Sequence, residues 1–154
     1  MRSHEAEGRL HRLQSLGDMR EQRALAALQR AMARHENLEQ RLHQTENALN
    51  AIANERKALF ETHQGLMTLG DLFQLKRRAS MLESRRIELT LDASNLRSAC
   101  AETTAVIAQS RLAVTYARRR RDKLTHVVTL FRLDGRTHAL MKEDEEIEDH
   151  RYEH

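Results

Sequence analysis

Proline is absent from all 154 residues, and so is tryptophan. An internal proline removes a helix hydrogen bond and clashes with the preceding turn, at a cost of about 3 kcal/mol. Nothing of that kind interrupts this chain, so helices of unusual length are open to it. Glycine, the other helix breaker, occurs only at Gly8, Gly17, Gly65, Gly70 and Gly135. Aromatic residues make up 3% of the chain, too little to fill a thick globular core; a narrow seam between helices is what such a composition can build. The single cysteine, Cys100, excludes an internal disulfide and fits a reducing, cytoplasmic setting. No run of about 18 apolar residues is present, so no membrane insertion is expected. The segment from Met1 to Gly8 has no apolar stretch after its basic residue and does not read as a secretory signal.

What is present is charge, 32% of the chain, and a repeating apolar spacing. From Leu28 the pattern steps by threes and fours through Ala31, His35, Leu38, Leu42, Thr45, Leu49, Ile52, Arg56 and Leu59. The mean step of about 3.5 residues is that of a left-handed coiled-coil seam. A helix is expected over about 8–63. A second, longer series runs from Leu72 through Leu75, Ala79, Leu82, Arg86, Leu89, Ala93, Leu96, Cys100, Thr103, Ile107, Ser110, Val114, Ala117, Arg121, Leu124 and Val128 to Phe131 without losing phase. It predicts a helix over about 71–133, roughly 90 Å long at about 1.5 Å per residue. Between the two, Gly65 is placed to end the first helix, residues 64–70 form a turn, and Asp71 is placed to cap the second helix.

The fold class that follows is all-α: two long helices forming an antiparallel coiled-coil hairpin over residues 1–136. The seams pair if facing positions sum to 138, as with Leu38 and Cys100, His35 and Thr103, or Leu42 and Leu96. Toward the N-terminus this register would set Gln14 against Leu124 and Gly17 against Arg121, while the apolar residues there are Leu13, Leu16 and Met19. A change of phase near Gly17 is therefore expected. Gly135 is expected to end the second helix. Residues 137–154 read as a flexible acidic tail, disordered or a short helix, because the block from Glu143 to Asp149 repels itself.

Catalytic machinery is not legible. No glycine-rich phosphate loop, paired cysteine ligands or His-Glu-x-x-His occurs; no enzyme activity, cofactor or metal is expected. His150 and His154 are read as tail residues, His35 as a spacer on the seam, and Cys100 as a small apolar filler. Two features remain. Arg118, Arg119, Arg120 and Arg121 nearly circle their helix, since successive residues step by about 100°; Arg121 falls on the seam and the other three on the solvent side. No aromatic residues interleave with them and no basic region precedes a parallel zipper, so nucleic acid is the least expected partner; the run reads as a solvated helix face or as a site for an acidic protein partner. At the turn, Leu66, Met67, Leu69, Leu72 and Phe73 cluster, either shielding the end of the seam or forming a contact patch.

Two long antiparallel helices without proline, the stretch Tyr116-Ala117-Arg118-Arg119-Arg120-Arg121-Asp122-Lys123-Leu124 and the acidic end from Glu143 to Asp149 resemble the FliJ/YscO family, the central stalk proteins of type III secretion, the injectisome YscO type more than the flagellar FliJ type. The resemblance implies a non-enzymatic stalk at the cytoplasmic base of the secretion apparatus, linking a hexameric secretion ATPase to the export gate, with export chaperones as a further partner class. It makes Leu66, Leu69, Leu72 and Phe73 candidates for contact with the cytoplasmic domain of the gate. Arg118, Arg119, Arg120 and Arg121 become candidates for the ATPase contact. A generic coiled-coil adaptor or chaperone-like scaffold is the alternative reading, and a nucleic-acid-binding hairpin a more distant one.

Overall fold

Helix α1 spans Arg2–Glu61 and helix α2 spans Leu69–Tyr152. In this computed structural model the backbone is described for residues 2–152 and side chains for residues 5–143. The two helices run antiparallel about one short turn, which is the all-α hairpin that the sequence predicts. The chain divides into two compact units, Gln29–Gln109 and Met1–Leu28 with Ser110–His154.

In the unit Gln29–Gln109 the seam is narrow. Ala31, Leu38, Ile52 and Leu59 of α1 are buried, as are Leu89, Ala93 and Leu96 of α2. All lie on the predicted three-four series. The register is fixed by a polar pair: His35 Nδ1 donates to Thr103 Oγ1 at 2.8 Å, and the buried Thr103 hydroxyl in turn donates to the carbonyl of Cys100 at 2.9 Å. The numbers of this pair sum to 138, the register expected from the sequence over one shifted by seven. The two arginines on the series do not enter the seam. Arg56 and Arg86 both reach Glu83, at 3.2 Å and 2.5 Å, keeping their aliphatic stems along the helices and their charge in water. The hydrogen bond from Arg86 holds the Glu83 carboxyl below its ordinary range. Exposed pairs Arg78–Glu55 and Arg97–Glu46 cross between the helices; such pairs orient helices more than they stabilise them.

The turn differs in detail from expectation. α1 stops at Glu61, where Thr62 N–H and His63 Nδ1–H donate to the carbonyls of Ala58 and Leu59 at 3.0 and 2.7 Å. Gly65 lies beyond this end rather than at it, with φ of 157°, a conformation that side-chain-bearing residues rarely adopt. Asp71 is not the cap of α2; Thr68 is. Its hydroxyl accepts from Asp71 N–H at 3.1 Å, and the Asp71 carboxylate accepts from Thr68 N–H and Oγ1–H at 3.2 and 2.6 Å. This reciprocal arrangement is a capping box, with the acidic residue three positions into the motif.

In the unit Met1–Leu28 with Ser110–His154 the expected change of phase does not occur. The series continues through Leu10, Gln14, Gly17, Glu21 and Ala24, with Gly17 and Glu21 buried. Val114 and Val128 are buried on α2. Leu13, Leu16 and Met19 stay between 43% and 46% exposed. The phase of α2 is unbroken, so a shift in α1 alone would have lost the interlocking of side chains along the seam. A glycine and an ion-paired glutamate keep it instead.

α2 also continues through Gly135, contrary to expectation. One glycine in a helix interior costs about 1 kcal/mol relative to alanine, and good helix formers stand on both sides. Thr137 and His138 side chains donate back to the Asp134 carbonyl. The acidic block beyond Glu143 lies outside the described side chains.

Candidate interaction surfaces

The turn presents apolar side chains to solvent. Leu66 is fully exposed, Leu69 and Phe73 are 69% and 64% exposed, and Leu72 is 39% exposed. Of the five apolar residues clustered there, only Met67 is half-buried. They do not fold back over the end of the seam. The backbone beneath them is held by the Thr68 cap, and the Thr68 hydroxyl and N–H keep the Asp71 carboxyl below its ordinary range. The patch is therefore carried on an ordered turn.

The basic run separates into two kinds of residue. Arg118 Nε donates to Glu21 Oε1 at 3.0 Å, and Arg121 Nη1 donates to Glu21 Oε2. Arg121 Nη2 also donates to Asp122 Oδ1 at 3.0 Å. Hydrogen bonding to Asp122 first, then the nearby Glu21 charge, raises the Arg121 guanidinium pKa above its ordinary value. Glu21 is 8% exposed, and a buried carboxylate needs such partners. Arg118 and Arg121 thus hold the seam together. Arg118, expected to face solvent freely, is tied down.

Arg119 and Arg120 are exposed and make no ion pair among the described residues. They line an open groove of about 740 Å³ with Arg20 and Lys123; its apolar surface comes from Gly17, Ala117, Leu124 and Tyr116. Glu21 and Arg20 are not among the residues that the sequence singles out, and Gly17, set against Arg121 by the register, reads there as a break. The signal was available, since Gly17 and Glu21 fall on the three-four series once it is carried past Leu28. The apolar residues Leu13, Leu16 and Met19 mask it with a competing spacing.

Among the described residues no group of three or more His, Cys, Asp or Glu is placed to hold a metal ion. His150 and His154 lie outside the described side chains. Cys100 is half-buried on the seam and unpaired. No helix among the described residues is long and apolar enough to cross a membrane.

The sequence profile of the Salmonella surface presentation of antigen gene type M protein family, SPAM, matches residues 8–150. The chain belongs to the SPAM family. Its structure is similar to the crystal structure of the type III secretion protein YscO from Vibrio parahaemolyticus, with a TM-score of 0.81 over 96% of each chain and 18% sequence identity. At that identity the likeness concerns the fold. No curated protein matches the sequence. The FliJ/YscO resemblance read from the sequence is borne out, and the hairpin of this SPAM-family chain is YscO-like in fold.

Proposed function

We propose that the chain is a non-enzymatic central stalk of a type III secretion system, linking the hexameric secretion ATPase to the export gate at the cytoplasmic base of the apparatus. The observation that carries this reading is the family match over residues 8–150 on a YscO-like hairpin. The surfaces support it. The apolar patch of Leu66, Leu69, Leu72 and Phe73 is exposed in a way that favours burial against another protein; in this reading it meets the cytoplasmic domain of the gate. The arginine-rich stretch from Arg118 to Arg121 meets the ATPase, where opposite charge would steer association. Export chaperones are further partners in the same reading.

The test is secretion in a strain lacking the gene, complemented with the unchanged chain or with Leu66→Glu/Phe73→Glu. The unchanged chain restores secretion and raises the ATPase rate of the purified enzyme. The double variant folds, raises that rate equally, and fails to restore secretion. Restoration by the double variant would remove the turn from the gate contact. No change in ATPase rate with the unchanged chain would remove the link to the ATPase.

A further inference from the structure

We infer that the groove between Gly17–Arg20 and Tyr116–Leu124 is a docking site for an acidic amphipathic helix of the ATPase partner, with Arg20, Arg119, Arg120 and Lys123 as the recognising cations. The inference rests on the stalk reading above and changes which residues carry its ATPase contact. It rests also on a division within the basic run. Arg118 and Arg121 spend their hydrogen bonds on Glu21 and Asp122. The four groove cations have no ion pair or hydrogen bond among the described residues, and no carboxylate lines the groove. Among the described residues no carboxylate is placed to pair with these four cations, and an acidic occupant supplies one.

The rest of the surface says what kind of acidic occupant fits. Gly17 has no side chain, which lowers the floor and leaves Ala117 and Leu124 open to contact. Tyr116, 69% exposed at the rim, offers a rigid apolar ring with a polar tip, a residue type enriched where binding energy concentrates. Apolar side chains continue from the groove along the same helix faces. Leu13 and Leu16 lie seven and four positions before Arg20; Val127 and Leu130 lie seven after Arg120 and Lys123. At these spacings they share the faces of the groove residues, and they are 43% to 52% exposed. A phosphate backbone would answer the cations and leave this band bare. A helix with carboxylates at one end and apolar residues at i, i+3 and i+4 toward the other would cover both.

The test measures binding of the full-length chain to the purified ATPase at about 50 and about 300 mM salt, a range over which exposed charge contacts are screened. Three variants are compared with the unchanged protein: Arg119→Glu/Arg120→Glu/Lys123→Glu, Tyr116→Ala and Arg118→Ala. The triple variant is expected to lose roughly tenfold or more in affinity at low salt, to lose most of the salt dependence, and to melt at the temperature of the unchanged protein. Tyr116→Ala is expected to lose affinity at both salt concentrations. Arg118→Ala is expected to melt lower while keeping the salt dependence of the unchanged protein. Binding by the unchanged protein, with the triple variant equally tight, would overturn the groove and leave the stalk reading intact. No binding by the unchanged protein would overturn the stalk reading, and this inference with it. Self-association of the chain that the triple variant abolishes would assign the groove to the acidic end of a second copy and overturn the inference as well.

Discussion

His35 and Thr103, 68 positions apart, are joined across the seam by a hydrogen bond of 2.8 Å. A hydrogen bond between two seam positions is a stronger statement of register than any apolar contact, because a slip of one heptad leaves both groups without their partner. Leu38 is one step along the seam from His35, and Cys100 one step from Thr103. Leu38→Cys is therefore expected to form an intramolecular disulfide with Cys100 under mild oxidation, seen as a mass loss of about two hydrogens and a shifted non-reducing gel band. Arg34→Cys, off the seam, is expected to stay reduced. Bridging to Cys100 from position 31 or 45 instead of 38 would move the register by seven residues.

The capping box at the turn links stability to acid. Thr68→Ala removes the side-chain oxygen that satisfies Asp71 N–H, and is expected to cost about 1 kcal/mol. Because Thr68 holds the Asp71 carboxyl below its usual pKa of 3.8, the ionised form is favoured in the folded state. That contribution is fully present above pH 3.8 and is lost as pH falls through the depressed folded value. Thermal melts of the unchanged protein and Asp71→Asn should differ near neutral pH and converge as pH drops below 3.8. A gap that stays constant down to pH 2 would mean the carboxylate contributes through shape alone.

Glu21 is the polar centre of the seam in its unit. Glu21→Ala removes the carboxylate that Arg118 and Arg121 share, leaving Arg121 with Asp122 alone, and is expected to destabilise the protein by about 1 kcal/mol. Arg118→Ala and Arg121→Ala are each expected to lower the melting temperature, and Arg119→Ala and Arg120→Ala to leave it unchanged. Circular dichroism melts of the five variants check this. Equal melting temperatures for all four arginine variants would erase the division between seam and groove.

Most of the hairpin was legible in the sequence because coiled-coil packing is written in spacing. The series from Leu28 to Leu59 and from Leu72 to Phe131 contain the buried residues of α2 and those of α1 from Ala31 onward, and the turn falls within three residues of its expected bounds. The failures share one cause. Single residues were read by their intrinsic preference where neighbours decide. Gly17 looked like a break, yet the phase of α2 keeps it on the seam. Gly135 looked like a stop, yet the helix formers around it carry the helix through. Asp71 looked like a cap, yet Thr68 three positions earlier makes a box with it. The candidate site was legible as a basic run and an apolar turn. Which arginines are free was not, because that depends on Glu21, almost one hundred positions away.

Gly17 offers a test of this contest between propensity and packing. A Cβ there would stand 3.3 Å from Leu124 Cδ1 and 3.8 Å from Arg121 Cα. The first neighbour is the end of a flexible, half-buried side chain, which can turn aside by a few tenths of an ångström. Alanine in a helix interior is favoured over glycine by about 1 kcal/mol. Gly17→Ala is thus expected to stabilise the protein by somewhat less than that. Gly17→Leu cannot be accommodated in the same way, since its longer side chain runs into the Arg121 backbone; it is expected to destabilise, to splay α1 from α2, and to raise amide exchange around Glu21. Urea titrations rank the two variants, and hydrogen exchange shows where the helices part. A stable Gly17→Leu protein with Glu21 still protected would mean that the helices are not in close contact at this position.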